Sequence, residues 1–381
     1  MPAIPLSLYI HTPWCIKKCP YCDFNSHQKP TILPEREYIN RLIEEAEEKS
    51  DFLKNRQINT IFIGGGTPSL FEAHHYQRLF SALREIFNIA TEAEITLEAN
   101  PGTVEQKRFE GYLAAGINRL SLGIQSFDDK KLKALGRIHG GEEAQKAVLA
   151  AQQAGFTNIN LDLMHALPQQ SLEEGLKDLI IAISFNPLHI SWYQLTVEPN
   201  TYFHQFPPIL PQDDLIWTLQ DQGQTLLREQ GYEQYEVSAY AKPGKQCQHN
   251  LNYWEFGDYL GLGAGAHSKI THPNSHQIVR SWNAKNPKSY LSEKLSEITH
   301  QKMLTLEEIP LEFALNAFRL QKPLSLTLWK ERTGLSLDRI AAPLEVAIQK
   351  QWIILEKENL ILTKLGRDFL NDVLELFLVK S

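Results

Sequence analysis

Residues 11–22 read HTPWCIKKCPYC. Cys15, Cys19 and Cys22 stand there at C-x3-C-x2-C spacing, and the next cysteine along the chain is Cys247. Protein metal sites commonly close with four ligands, so three thiols on one short loop point to a metal centre with a coordination position left open. Two centres compete for such a loop. A structural zinc would draw a fourth ligand from His11 or His27, but zinc pairs usually come as C-x2-C hairpins, and the three-residue gap followed by Pro20 and Tyr21 fits less well. A [4Fe-4S] cluster would use the three thiolates on three irons and leave the fourth iron to an exogenous ligand.

The loop follows LSLYI (6–10), the first of six β-rich runs; the others are TIFIGG (60–65), EITLEA (94–99), RLSLGIQ (119–125), NINLDLM (158–164) and HISWYQL (189–195). Amphipathic helical patterns separate them at 35–55, 73–88, 104–115, 140–154 and 172–185, several ending near Gly or Asn. Strands alternating with helices are the pattern of a parallel sheet with crossover helices, and six repeats predict an α/β fold with a partial (β/α)6 barrel.

Two further features sit where such a barrel places its site. GGGTPS (64–69) follows the second run; it is either a plain glycine turn or a stretch whose backbone approaches a ligand closely. Glu98 in LEANPG, Gln125 in LGIQSF and Asp162 in LDLMHALP stand toward the C-terminal ends of apolar strands. An acid there is costly to bury unless it is paired, and although a helix N-terminus or an arginine could satisfy any one of them, their repetition favours a shared ligand.

Beyond residue 200 the pattern loosens. PNTYFHQFPPILPQ is a proline-rich crossing, a helix is expected over 213–230, YEQYEVSAYA reads as one further strand, and GLGAGAHSK (261–269) as a tight turn close to HNLNYW (249–254). After NPKSYL and KLSEITHQK come helical patterns at 305–320, 325–332 and 338–350, then WIILEKENLILT as a hairpin and a last helix. The expected division is a barrel with its extension over 1–298 and a winged-helix-like, mainly helical module over 299–381. A winged helix raises the possibility of DNA binding, but residues 300–381 carry 11 Lys plus Arg against 11 Asp plus Glu, without the basic excess of a DNA reader.

Over its 381 residues the chain is 43% hydrophobic and 22% charged with a net charge of -7, which suits a packed globular protein and not a general binder of nucleic acid. The start MPAIPLSLYIH is neither a basic leader nor a signal-length apolar run, and a cytoplasmic location is expected. In a reducing compartment clustered cysteines serve metal or redox chemistry rather than structural disulfides.

The cysteine spacing, with an aromatic before the last cysteine and a strand before the first, resembles the radical S-adenosylmethionine (SAM) superfamily, and GGGTP resembles the segment that family lays against the SAM amino group. The resemblance implies a [4Fe-4S] cluster on Cys15, Cys19 and Cys22 whose open iron is chelated by SAM. Adding Arg137 in LGRIHG and Tyr9, it runs through nearly the whole chain to one subgroup, the oxygen-independent coproporphyrinogen III oxidases and their relatives. It implies that Gly65, Gly66, Thr67, Glu98 and Asp162 meet the SAM amino acid or ribose, that Gln125 and Arg137 orient its carboxylate end, and that Tyr9 packs near the adenosine.

That subgroup also contains a haem-chaperone branch. The oxidase pattern carries a further cysteine where this chain has Phe24, and a longer extension ahead of the first strand. HNLNYW matches the HNxxYW motif of the chaperone branch, making His249 a candidate axial haem ligand with Tyr253 and Trp254 able to stack on a porphyrin; the plainer alternative is a turn beside core aromatics. Cys247 reads as a buried thiol. The resemblance thus implies haem as cargo and haem-accepting apoproteins, respiratory ones among the candidates, as partners, with peripheral membrane association left open, while the charge balance excludes nucleic acid. The competing expectation is radical decarboxylation of a porphyrinogen.

Overall fold

The computed structural model describes residues 4–53, 56–102, 106–273 and 275–378. Six strands open the chain: β1 Leu6–Thr12, β2 Gln57–Gly65, β3 Asn88–Ala99, β4 Arg119–Gln125, β5 Asn158–His165 and β6 His189–Gln194. They lie side by side in chain order, each parallel to the next. The crossovers are α1 Glu35–Lys49, α2 Ala73–Ile86, α3 Gln106–Ala115, α4 Gly141–Gln153 and α5 Leu172–Ser184, so the expected partial (β/α)6 barrel is what forms. Residues 54–55 of the helix expected over 35–55, and residues 104–105 of that expected over 104–115, lie outside the described residues.

Successive residues of a strand face opposite sides of the sheet. One set, including Leu8, Ile61, Leu97, Leu122, Leu161 and Ile190, packs into the main core. The alternate set is polar: Ser7, Thr60, Thr96, Arg119, Ser121, Asn160 and His189 are all buried. A closed eight-stranded barrel fills its centre with branched apolar side chains. This lumen holds a hydrogen-bonded network instead, which is what makes its polar burial tolerable. Ser121 Oγ donates to Asp162 Oδ2 (2.8 Å), and Asn160 Nδ2 lies 2.8 Å from both Ser121 Oγ and Asp162 Oδ1. His189 joins Asn160 Oδ1 (2.6 Å) to Tyr235 OH (2.8 Å).

After β6 come α6 Asp213–Glu229, β7 Glu233–Glu236, β8 Ala239–Ala241, α7 Gln248–Trp254, β9 Asp258–Leu262, β10 His267–Thr271, β11 Ile278–Asn283 and β12 Thr299–Met303. YEQYEVSAYA is a hairpin rather than one strand, its two halves pairing antiparallel at one edge. β9 adds parallel to β1 on the other side, giving a 12-stranded sheet of order β12-β11-β10-β9-β1-β2-β3-β4-β5-β6-β8-β7. GLGAGAHSK contributes to two of these strands as well as the turn between them. That turn leans on the cysteine loop: a Cβ at Gly263 would meet the His11 carbonyl oxygen at 2.4 Å, and one at Gly265 the Asn25 amide nitrogen at 2.3 Å.

The last strand, β12, still pairs with β11, so a division after 298 falls inside the sheet; we propose that the module begins past Met303. It comprises α8 Ile309–Ala317, β13 Leu324–Ser325, α9 Leu326–Thr333, α10 Asp338–Gln349, β14 Ile353–Glu356, β15 Asn359–Leu362, α11 Lys364–Asp368 and α12 Leu370–Glu375. α8, α9 and α10 with the three-stranded antiparallel sheet are the winged-helix-like arrangement expected, and α11 and α12 follow the sheet. Phe313, Trp329, Ile340, Ile353 and Leu360 form its core, joined by Phe256 and Ile278 from the barrel extension.

Candidate functional site

The cysteine loop leaves β1 and returns on itself: Trp14–Cys15 pairs in parallel with His27–Gln28, and Lys29 N–H donates to the Cys15 carbonyl (2.8 Å). The glycine triplet holds this loop from below. Gly66 N–H donates to the Thr12 carbonyl and Thr67 N–H to the Trp14 carbonyl, both 2.7 Å. A Cβ at Gly66 would sit 2.4 Å from the Trp14 oxygen, and Gly65 has φ +115°, a conformation side chains rarely adopt. The close approach that GGGTPS was expected to permit is therefore, in the first instance, to the cysteine loop. Gly65 N–H goes to Glu98 Oε2 (3.2 Å), so this stretch offers a ligand carbonyl oxygens rather than amides.

Cys15, Cys19 and Cys22 are free thiols that line one cavity of about 270 Å³. Gly65, Gly66, Thr67, Glu98, Gln125, Arg137 and Asp162 line the same cavity. Tyr9 does not; it faces an adjoining, larger space, stacked on Phe62 at 6.4 Å. The proposed zinc ligands are likewise turned away from the thiols. His11 Nδ1 meets Tyr9 OH (2.9 Å) and Nε2 the Asn25 carbonyl (2.8 Å), while His27 Nε2 meets Asn25 Oδ1 (3.0 Å). The donor set thus suits a multi-iron cluster with an exogenous ligand better than a lone zinc ion. Burial first, then the neighbouring thiols, pushes Cys15 up to about 11, so metal binding at this loop must displace protons.

The polar residues around the thiols are held in place. Arg137 Nη2 donates to Asn100 Oδ1 and the Gly123 carbonyl, both 2.7 Å, and Nη1 reaches Cys19 Sγ at 3.8 Å. Gln125, at φ 69°, accepts from Tyr193 OH (2.8 Å). Burial, then Asp162, raises Glu98 to about 8, and burial raises Asp162 as well. Two buried carboxyls that resist ionisation are arranged to receive a cationic ligand, whose charge would restore them. Asn100, Ser121 and Tyr193 also line this cavity, and of the three only Asn100, two residues after Glu98 within LEANPG, has a signal in the sequence.

The larger cavity, about 990 Å³, is lined by Tyr9, Phe62, His249, Tyr253, Trp254 and Tyr259, with Lys18, His267 and Lys285 among its polar groups. Glu98, Gly65, Cys22 and Phe24 line both cavities, so the two share a wall. HNLNYW is the helix α7, not a turn, and it lies against β1, β2 and β9. His249 N–H donates to Glu94 Oε1 (3.2 Å), Cys247 Sγ donates to the same oxygen (3.4 Å), and the imidazole packs 5.2 Å from Phe62. Burial first, then Arg119, lowers His249 to about 3, which keeps the ring neutral and able to bind a metal. Tyr253 stands edge-on to Trp254 at 5.0 Å.

The model of the radical SAM superfamily matches residues 9–179, and that of the HemN C-terminal domain matches residues 304–369. The chain is 50% identical to "Heme chaperone HemW" of Haemophilus influenzae over 100% of both chains, and 49% identical to that of Escherichia coli over 99% of both. In fold it is similar to the Escherichia coli coproporphyrinogen III oxidase HemN, described as a radical SAM enzyme, with TM-score 0.82 over 99% of this chain and 91% of that one, at 23% identity. Whole-length identity of this order places the chain in the radical SAM superfamily, in the family of the heme chaperones HemW.

Proposed function

We propose that this protein is a haem chaperone that holds its cargo in the larger cavity through His249 and passes it to haem-accepting apoproteins. The observation that carries the reading is the contact between the two sites. The cavity lined by His249, Tyr253 and Trp254 shares Glu98, Gly65 and Cys22 with the thiol-lined one. Its volume of about 990 Å³ is at the upper end of the ~300–1,000 Å³ typical of ligand sites. Aromatic walls suit a macrocycle face, and Lys18 and Lys285 supply cations for its carboxylates.

In the smaller cavity Cys15, Cys19 and Cys22 would hold a [4Fe-4S] cluster, and the Gly65–Thr67 carbonyls, Glu98, Gln125, Arg137 and Asp162 would receive SAM. When bound, that pair supplies strongly reducing one-electron chemistry. The chain's own contribution is positional. Glu98 and Asp162 favour a cationic group, Arg137 presents a guanidinium beside Cys19, and the sheet keeps the whole assembly one residue wall from the haem site. Porphyrinogen decarboxylation is the weaker reading, because identity to the oxidase is 23% against 49–50% to the chaperones.

Anaerobic reconstitution followed by haem titration of wild type and His249→Ala, with a parallel coproporphyrinogen assay in SAM and reductant, tests this. Stoichiometric haem binding that weakens at least about tenfold in the variant, without conversion of the porphyrinogen, is expected. SAM-dependent vinyl product would overturn the reading.

A further inference from the structure

A neutral imidazole has one bare nitrogen, and His249 can bind iron only if that nitrogen is the one facing the cavity. Its Nδ1 lies 2.9 Å from Thr60 Oγ1. A hydroxyl can donate or accept, so the tautomer depends on where Thr60 sends its own proton. Ser7 Oγ, 2.8 Å away on the neighbouring strand, where Ser7 and Thr60 are paired in register, can take that proton.

Ser7 is anchored from its other side. Asn252 Nδ2 donates to Ser7 Oγ (2.8 Å) and to the Asp258 carbonyl (2.9 Å). A carbonyl only accepts, so it is the amide nitrogen of Asn252 that faces this pair. Binding iron through Nε2 requires Nδ1 to carry the hydrogen, so Thr60 must accept from it and turn its own proton to Ser7. Nε2 is then bare, on a residue that lines the cavity. Ser7 and Thr60 are both buried, so water does not compete for these bonds.

Resting on the haem reading above, we propose that Thr60 is a positioning residue. By accepting Nδ1–H through a hydroxyl whose proton is held by Ser7, it fixes His249 in the tautomer whose Nε2 binds haem iron. Asn252, inside HNLNYW itself, secures the far end of the relay. Ligating histidines are often oriented by a carboxylate, which makes the imidazole a stronger donor. A neutral hydroxyl leaves it weaker, which suits a cargo that has to be released.

The test uses the full-length protein with ferric and ferrous haem, comparing Thr60→Val, which keeps the shape without the hydroxyl, and Thr60→Ser, which keeps the hydroxyl. The readouts are haem affinity, the iron–histidine stretching frequency in resonance Raman spectra and the haem midpoint potential. Thr60→Val is expected to weaken binding about tenfold or more and to move both the stretch and the potential, and Thr60→Ser to restore all three. Wild-type values in Thr60→Val, or failure of Thr60→Ser to restore them, would overturn the proposal. Should Thr60→Val not fold, Ser7→Ala frees the Thr60 proton to donate to Nδ1; an altered stretch supports the relay and an unaltered one refutes it. If His249→Ala loses haem while Thr60→Val is unaffected, this inference alone fails; if His249→Ala keeps haem, the cargo-site reading fails and takes the inference with it.

Discussion

Glu98 is the residue on which the two cavities meet, and its chemistry is set by what surrounds it. Buried beside Asp162, its carboxyl is raised from 4.5 to about 8. In the cluster-free, SAM-free protein the folded state therefore binds a proton that the unfolded state has released across that interval. Stability falls as pH rises from 4.5 towards 8 and levels off above it. Glu98→Gln is expected to flatten this slope, which denaturant midpoints at several pH values between 5 and 9 would check. A steep slope retained in the variant would point to Asp162, whose carboxyl is raised in the same direction. Glu98 and Asp162 could be singled out in the sequence because an acid inside an apolar strand is conspicuous. Thr60, Ser121 and Asn100 could not, since such residues are common in strands and turns and acquire meaning only from a neighbour in another strand.

The glycine triplet and α7 show how an element inherits its role from the partner it packs on. Gly66 leaves room for the Trp14 carbonyl, and its own amide ties down Thr12. Gly66→Ala is expected to cost about 1–3 kcal/mol through overpacking and to lower iron bound per chain after reconstitution; normal iron content would mean that the loop tolerates the shift. α7 is short, and a helix of this length is marginal by itself. It is held by Glu94, which takes both the His249 amide and the Cys247 thiol, and by Thr60 on the adjacent strand. Arg119, buried in the lumen with its Nε unpartnered, is the positive charge facing Glu94, Cys247 and Asp162. Arg119→Met would leave those acids uncompensated and is expected to destabilise the fold by about 3–5 kcal/mol, read as a shift in the unfolding midpoint.

At the scale of the whole molecule, the C-terminal module is a clamp on α7, the helix that carries His249. Arg319 lies 4.5 Å over the Trp254 ring and pairs with Glu236 (3.2 Å). Lys322 pairs with Glu255, the Arg332 Nε donates to the Glu255 carbonyl (3.2 Å), and Arg280 of β11 pairs with Glu312 of α8. Three of the module's basic residues, Arg319, Lys322 and Arg332, thus serve contacts with the barrel and its extension. Arg319→Ala removes a cation–π contact of about 0.5–2 kcal/mol. It is expected to speed amide exchange over residues 248–256 and haem dissociation together; unchanged exchange there would separate the module from the haem site.

Local rules were enough for much of this. The six βα repeats, the three-thiol loop with its open valence and the helical change after residue 300 all rest on period, spacing and residue type, which a linear chain displays directly. Only the tertiary structure decided that β9 would pair with β1 and carry three more strands, because those segments lack a clear alternation and the pairing that joins them to the sheet is with a strand about 250 residues away. It also decided that Tyr9 belongs to the larger cavity, that the glycine triplet braces the cysteine loop, and that two cavities share one wall. The reason is the same in each case: these are relations between segments up to about 250 residues apart, and nothing in a residue's own neighbourhood records which distant strand it will face.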